Sequence, residues 1–230
     1  MSGNVSKKIS TSNLILYLDA GNSRSYPSAG STWSDLTVNN NDITLINNPP
    51  FSTLNGGCIV FSGSPSSYYG RIPYSSSFNL TGVDFTLECW FRTNSFALGS
   101  QVLISKDTQG SNFDWAMEVV NSTTLRIYSN GTTTNVTATV PTMQTGVWYH
   151  VVITSTSGTI RIYLNSVLYQ TQAMSISNNS QSFVTFGCAS WNIPGAFLNG
   201  QISVFRFYRR SLSLSEIQEN YNFNLNRFIS

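Results

Sequence analysis

The chain has few charged residues, and this shortage excludes several classes of protein. Asp, Glu, Lys and Arg make up 10% of its 230 residues, and the net charge is +2. Typical soluble domains reach about 25%. Long solvent-exposed helices need charged faces, so an all-α fold is excluded. The few basic residues are scattered, which argues against a nucleic-acid partner, because such proteins concentrate positive charge on one surface.

Histidine and cysteine are also scarce. His150 is the single histidine, and the three cysteines, Cys58, Cys89 and Cys188, form no C-x-x-C pair. A zinc centre needs several such ligands at short spacings, so we expect no metal site. Each cysteine lies in an apolar, strand-like run. This placement predicts three free thiols in the core and no disulfide framework.

Long apolar runs are missing as well. No segment approaches the ~18 consecutive apolar residues of a membrane span. Residues 1–12 are polar and lack the apolar centre of a secretory signal. We therefore expect no membrane insertion and synthesis in a cytoplasm. Residues 1–12 are predicted to be a loose polar leader that orders only against a partner, and residues 13–230 to form one domain.

The sequence is rich instead in short strand-like segments. About a dozen runs of β-branched and aromatic residues are bounded by Gly, Asn, Ser or Pro. Asn130-Gly131 and Ser157-Gly158 separate pairs of such runs and favour tight hairpin turns. In the run FTLECWFRT, which begins at Phe85, apolar residues alternate with others, as in a strand with one face in a core. The pattern predicts an all-β protein, either a two-layer sandwich or a barrel.

One helix signal stands near the end of the chain. Ser213 and Glu216 form the S-x-x-E pattern of a capping box, in which each side chain satisfies a free backbone N–H of the first turn. Leu212 and Ile217 occupy the two positions of a hydrophobic staple. These signals predict a short helix over about residues 214–221, packed on the rim of the sandwich.

Five segments in order along the chain carry the motifs of a known family. They are LILYLDAGN from residue 14, GGCIVFSG from residue 56, FTLECWFRT from residue 85, GVWYHVVITSTSGTIRIYLN from residue 146 and FLNGQISVFRFYRRSLSLSEIQENYN from residue 197. The chain resembles laminin-G-like domains of the concanavalin A-like lectin/glucanase superfamily. This resemblance implies a two-sheet antiparallel jelly-roll sandwich. The pairing of LDAGN with EIQENYN resembles versions found in tailed-phage structural proteins.

Two departures from the family pattern concern calcium and a turn. Family members commonly read F-D-G-x-x-D-Y, whereas this chain reads FSGSPSSY from Phe61, with serine in place of both acids. Calcium needs several oxygen ligands with carboxylate charge, so a calcium site is not supported, and no cofactor is expected. The family's Y-x-N-G turn has lost its glycine here, which leaves Asn165 as the one residue with a left-handed preference.

Catalysis on this fold would require a particular pair of acids. A glycoside hydrolase needs two carboxylates about 5–9.5 Å apart. The clustered acidic motif of related glucanases is absent, although Glu88 and Glu118 lie on different strands and are able to face each other. His150 matches a strand position of the family, so we predict a hydrogen-bonding role for it and not a place in a triad. No catalytic residue is predicted.

Two loops offer ligand-binding residues. Trp191 lies in a turn-rich stretch beside Asn192, where an aromatic face and an amide suit the apolar face and the hydroxyls of a sugar. The alternative is that Trp191 folds over its own loop. Asp107 and Asn112 belong to a second polar loop, DTQGSNFD, which is either a ligand site or a solvated hairpin turn. We predict these four residues as the ligand-binding set.

These features together predict a non-enzymatic virion structural protein, either a capsid decoration or a tail or fibre component. It would be made in a host cytoplasm and reside in the virion as a homo-oligomer or in many copies. Its partners would be other virion proteins, docked through strand edges and the leader, and a host-surface glycan at the rim loops. The alternatives are a free-standing carbohydrate-binding lectin and a glycoside hydrolase.

Overall fold

The computed structural model describes residues 8–63, 65–107, 113–129, 134–176, 181–189 and 195–229. The strands are, in chain order, β1 (Leu14–Asp19), β2 (Thr32–Trp33), β3 (Ile43–Ile46), β4 (Phe51–Ser52), β5 (Cys58–Phe61), β6 (Tyr69–Ile72), β7 (Phe85–Thr93), β8 (Gln101–Asp107), β9 (Phe113–Asn121), β10 (Thr124–Ser129), β11 (Thr134–Thr139), β12 (Trp148–Thr156), β13 (Thr159–Leu164), β14 (Val167–Ala173), β15 (Val184–Phe186) and β16 (Gly200–Tyr208). Two 3-10 turns, Leu54–Gly56 and Ser76–Phe78, and one α-helix, α1 (Leu214–Phe228), complete the elements.

The strands form two antiparallel eight-stranded sheets. Sheet A has the order β14-β13-β12-β7-β16-β5-β4, and β1 pairs with the second half of β16. Sheet B has the order β11-β10-β9-β8-β15-β6-β3-β2. This architecture confirms the predicted sandwich with one C-terminal helix. None of the helices in the described part of the chain combines the length and apolarity that crossing a membrane requires.

The core lies between the two sheets. Leu87 and Phe91 of β7 point into it, as the alternation of that strand predicts, and meet inward residues of sheet B such as Met117 and Ile127. β7 and β16 are buried on both faces along almost their whole length. Because a strand of an antiparallel sheet often has one wet face, this burial shows that something also covers sheet A from outside.

The cover is helix α1. Its start follows the prediction, since the Ser213 and Glu216 side chains and backbones exchange both bonds of the capping box. The predicted end at residue 221 and the predicted rim position are wrong. The helix continues to Phe228 and lies on the outer face of sheet A, where Phe228 stacks on the Trp90 ring at 4.4 Å between centroids. Its last two turns are held by contacts with the sheet, which local sequence signals do not report.

The end of the polar leader is attached to the same helix. The Ser10 amide donates to Asn220 Oδ1 at 3.1 Å, and Tyr208 donates its hydroxyl proton to the Ser10 carbonyl, also at 3.1 Å. We expected residues 1–12 to order only against a partner. In the described part of this leader, Ser10 contacts α1 and β16 of its own chain, and the role of a partner stays a prediction. Residues 1–7 lie outside the described residues, and the division at residue 12 stays a prediction.

Two hairpin turns in sheet A use left-handed backbone. The predicted Ser157-Gly158 turn is confirmed, with φ of 46° and 74°. The turn after β13 places Asn165 at φ 50° and Ser166 at φ 64°. Ser166 therefore adopts the conformation that the family's glycine would adopt at lower cost. The Asn130-Gly131 turn lies outside the described residues.

Replacing Ser166 by glycine should stabilise the protein. Relief of the left-handed strain outweighs the extra entropy of glycine in the unfolded chain, for a gain of about 0.5–1 kcal/mol. For a chain of this size that gain raises Tm by about 1–4 °C, measurable by differential scanning calorimetry. Ser215→Gly, at an exposed position of helix α1, is the control and should lower Tm. An equal fall in Tm for Ser166→Gly would contradict the strain assigned to this turn.

Candidate functional site

The outer face of sheet A carries a buried charged network beneath α1. Glu88 Oε1 accepts a hydrogen bond from Arg206 Nη1 and lies 3.1 Å from His150 Nε2. Glu88 Oε2 accepts from Asn220 Nδ2 at 2.7 Å. All four residues are at most 1% exposed. This confirms the hydrogen-bonding role predicted for His150, and the network joins the helix to the sheet without offering a surface to a ligand.

The charge of Glu88 survives its burial. Removal from water raises the pKa of this carboxyl, but Arg206 first, and then His150 and Asn220, lower it further, so that the pKa falls to about 2. Burial lowers the pKa of the Arg206 guanidinium, but the nearby Glu88 carboxylate, with smaller contributions from other neighbours, more than offsets this, so the pKa is raised overall. The pair therefore stays ionised between sheet and helix.

The LDAGN segment forms a second attachment, at the far end of α1. Arg227 Nη1 donates to Asp19 Oδ1 at 2.6 Å, and its Nη2 donates to the Gly57 carbonyl at 2.8 Å. The Arg227 Nε donates to the Asn55 carbonyl at 2.6 Å. Asp19 thus couples β1 to the end of the helix. The segment that carries part of the family resemblance has a structural role here.

The outer face of sheet B holds a polar cluster that reaches solvent. Arg126 donates from Nε and Nη2 to Glu118 Oε1, and its guanidinium lies 5.5 Å from the centre of the Tyr128 ring. The Arg126 side chain is 30% exposed, whereas that of Glu118 is 2% exposed. Burial raises the pKa of Glu118, and Arg126 only partly opposes the rise. The buried carboxylate therefore holds an accessible guanidinium in place.

The loop that contains Trp191 begins and ends on this same face. Ala189 and Gly195 exchange two backbone hydrogen bonds of 2.8 and 3.0 Å. Ala189 packs against Val102, Ala116 and Tyr128 on the outer side of sheet B. The two described ends of this loop, Ala189 and Gly195, therefore lie together beside the Arg126 cluster. Trp191 and Asn192 themselves lie outside the described residues.

The second predicted loop borders the same sheet. The backbone of Asp107 pairs with that of Phe113 at the end of the β8–β9 hairpin. The Asp107 side chain and Asn112 lie outside the described residues. Ala189 packs on Ala116, three residues along β9 from Phe113, or about 10 Å. The anchors of both predicted loops are thus near each other, while a site formed by the four predicted residues stays a prediction.

Glu88 and Glu118, the two acids considered as a possible catalytic pair, do not face each other. Glu88 projects from the outer side of sheet A toward α1, and Glu118 projects from the outer side of sheet B. The sandwich, whose sheets pack about 10 Å apart, lies between them. Asp114 shares a strand face with Glu118 but is four residues away, about 14 Å along β9. Neither pair has the spacing of a hydrolase.

Arg126 and Tyr128 were missed by the sequence interpretation, and Glu118 was considered only as an acid able to face Glu88. The signal that identifies the first two is the alternation in TLRIYS, where Arg126 and Tyr128 oppose the core residues Leu125 and Ile127. Cys58, Cys89 and Cys188 are all buried, as predicted. In the described ranges no three His, Cys, Asp or Glu side chains gather as a metal site would require.

The comparison with protein families settles the relationship. A laminin G family model, described as "Concanavalin A-like lectin/glucanases superfamily", matches residues 66–218. The chain belongs to this superfamily. No curated protein matches the sequence. The family match confirms the resemblance drawn from the five motifs, and it says nothing about a bacteriophage origin.

Solved structures with the same fold come from binding proteins and an enzyme. The binding domain of Paraclostridial Mosquitocidal Protein 1 is 17% identical, with a TM-score of 0.71 over 93% of this chain and 53% of that one. A botulinum neurotoxin type C structure, described by cell entry that depends on two ganglioside molecules, is 16% identical, with a TM-score of 0.69 over 92% and 51%. Trypanosoma rangeli sialidase with 2,3-difluorosialic acid is 15% identical, with a TM-score of 0.70 over 100% and 36%.

These likenesses show the fold alone, because the identities are low. The chain spans about half the length of the two toxin structures and about a third of the sialidase. What each of those proteins binds is therefore a property of that protein.

Proposed function

We propose that the protein is a non-enzymatic glycan-binding module of the lectin type. Its binding surface is the outer face of sheet B around Arg126, Tyr128 and the loop between Ala189 and Gly195. The observation that carries this proposal is the Arg126 guanidinium, accessible to solvent yet fixed by buried Glu118, beside the root of the loop that holds Trp191.

The chemistry of this surface suits a sugar. A guanidinium offers several N–H donors in a fixed plane, which match ring hydroxyls or a carboxylate. The Tyr128 ring and Val102 lie close by but are only 4% and 0% exposed, so they support the cluster from below, and Trp191 would supply the accessible apolar surface. Pockets for small ligands combine such an apolar lining with a few fixed polar groups. Helix α1 covers the outer face of sheet A along β7 and β16, whereas the Arg126 side chain on the outer face of sheet B is 30% exposed.

The structural neighbours support the same class of ligand. One is described with ganglioside molecules and another with a sialic acid derivative. The sialidase is an enzyme, but Glu118 has no second carboxylate at hydrolytic spacing among the acids on its own strand, as shown above. We therefore expect binding without turnover.

Trp191→Ala and Arg126→Lys should each weaken glycan retention at least tenfold. The first removes the stacking surface of the loop, and the second keeps the charge but loses the planar fork of donors. Retention is measured on a glycan array and then by calorimetry with the glycans that bind. Neither change should lower Tm by more than a few degrees, because Trp191 lies in the loop and Lys retains the charge beside Glu118.

Arg24→Gln, at an exposed residue outside the strands and remote in sequence from Arg126, is the control and should leave retention unchanged. Failure of every glycan to bind would refute the proposal, and so would release of free sugar by the isolated chain. A large fall in Tm for Trp191→Ala would show that this residue folds over its own loop.

The finer role, a virion structural protein with other virion proteins as partners, stays a prediction. Single sites on an open sheet face bind sugars weakly. Display in many copies on one particle would raise the avidity by ~10²–10⁴, so a multicopy assembly fits this kind of site.

A further inference from the structure

A second groove lies on the outer face of sheet A, beside the part covered by α1. Its volume is about 380 Å³. Thr154 and Thr156 of β12 form its floor with Arg161 and Tyr163 of β13, and the segment 211–214 before the helix forms its wall. This volume lies within the range of small-ligand pockets, about 300–1,000 Å³. The whole sandwich separates this groove from the Arg126 cluster.

In the groove, one buried hydroxyl has no hydrogen-bond partner among the described residues, and one arginine has no carboxylate partner among them. Thr154 is 1% exposed, and its hydroxyl makes no hydrogen bond within the described structure. Tyr163 is near enough for Thr154 to affect its pKa, but its hydroxyl is not in bonding geometry with Thr154. Arg161 reaches only Thr156 Oγ1, at 3.5 Å, and pairs with no carboxylate among the residues described. A buried polar group ordinarily has a partner, so the Thr154 hydroxyl points to a ligand, and the half-buried Arg161 beside it supplies positive charge.

The N-terminus of α1 adds positive potential to the wall. The N–H groups of Leu214 and Ser215, in its first turn, have no intrahelical carbonyl to donate to. A 15-residue helix carries about half a positive charge there. The acid of the first turn, Glu216, is neutralised by Arg210, whose Nη2 lies 2.6 Å from Glu216 Oε1. The groove therefore favours an anion.

We propose that this groove binds an acidic sugar, such as a sialic or uronic acid. The sugar carboxylate would lie between Arg161 and the N-terminus of α1, and ring hydroxyls would pair with Thr154 and Thr156. Hydroxyl side chains both donate and accept, which matches a polyol better than a bare anion. This inference takes its ligand class from the proposed function, on which it rests. It adds a second site, separate from the one on the outer face of sheet B.

In the experiment the full chain is titrated separately with N-acetylneuraminic acid, neutral galactose and inorganic phosphate. Binding is measured from the changes in NMR chemical shifts. Arg161→Gln should weaken the acidic sugar at least tenfold and leave galactose unchanged. Thr154→Val, which keeps the shape and removes the hydroxyl, should weaken it about three- to tenfold without lowering Tm. Arg24→Gln is the control for an exposed arginine and should change nothing.

Each outcome separates this groove from the sheet B face. Loss of acidic-sugar binding in Trp191→Ala or Arg126→Lys, but not in Arg161→Gln, would overturn the groove and leave the proposed function standing. Loss of acidic-sugar binding in Arg161→Gln, with binding to the glycan array unchanged, would support the groove as the site of the acidic sugar. Phosphate binding as tight as the acidic sugar, with no effect of Thr154→Val, would overturn the sugar and leave only an anion site. No binding of any sugar would overturn both proposals.

Discussion

Glu88→Ala is expected to lower the free energy of unfolding by about 3–5 kcal/mol. The change leaves the Arg206 guanidinium charged and 0% exposed, without the carboxylate that compensates it. It also removes the acceptor of Asn220, by which α1 is joined to β7. Urea denaturation followed by tryptophan fluorescence measures the loss, since Trp90 stacks on α1 beside this network.

The control is Glu219→Ala on the exposed side of α1, where the carboxylate reaches only Ser215 Oγ at 3.4 Å. A surface change of that kind should shift stability by no more than about 0.5 kcal/mol. Replacing Glu88 and Arg206 together by leucine should recover much of the loss, because no unpaired buried charge then remains. Equal effects of Glu88→Ala and Glu219→Ala would show that the network contributes no stability.

The same carboxyl gives the stability a pH dependence of known sign. The pKa of Glu88 is lowered from 4.5 to about 2 in the folded protein. Between these values the unfolded chain binds a proton that the folded chain does not, so acid favours unfolding. The contribution is complete above about pH 4.5 and is lost as the pH falls toward 2. Glu216 acts in the same direction, with less weight because it is partly exposed. In Glu88→Ala, the free energy of unfolding should therefore fall less between pH 4.5 and pH 2 than it does in the unmodified protein.

The fold was predictable because its signals are local. Alternation marks β7, paired left-handed residues mark the Ser157-Gly158 turn, and the capping box marks the first residue of α1. The end of the helix has no such mark, because residues 222–227 are mostly polar and carry neither glycine nor proline. Those turns are helical because Asn224 bonds Arg206 and Arg227 bonds Asp19. Asp19 is 208 residues away from Arg227, beyond any local pattern.

The candidate site depends on which face each strand presents, and that depends on sheet assignment. Glu88 and Glu118 look alike in sequence, each inside an apolar strand. Their separation follows only from placing β7 in sheet A and β9 in sheet B. Loop residues attract attention because polar and aromatic types stand together there. Arg126 and Arg161 are each single arginines within a strand. They become candidate binding residues only because neighbouring strands and the N-terminus of α1 place other residues beside them.

Gly57→Ala is expected to lower the free energy of unfolding by about 2–5 kcal/mol. Gly57 has φ of 123°, which costs a residue with a side chain about 1–2 kcal/mol. A Cβ there would also lie 2.7 Å from the Ala20 carbonyl oxygen and 2.8 Å from Gly21 Cα. Both are backbone atoms at the end of β1, so relief requires movement of the LDAGN segment and adds about 1–3 kcal/mol.

Gly30→Ala separates the two causes of this loss. Gly30 has φ of 105°, but a Cβ there would meet nothing within 4 Å, so only the backbone cost of about 1–2 kcal/mol applies. The excess of Gly57→Ala over Gly30→Ala in urea denaturation therefore measures the close approach of Gly57 to β1. Because the Gly57 carbonyl also accepts from Arg227 and from Ser203 Oγ at 2.6 Å, the variant should loosen the end of α1 as well, seen as faster amide exchange there. Equal losses of unfolding free energy in the two variants would mean that the LDAGN segment moves without cost and does not hold the end of α1 in place.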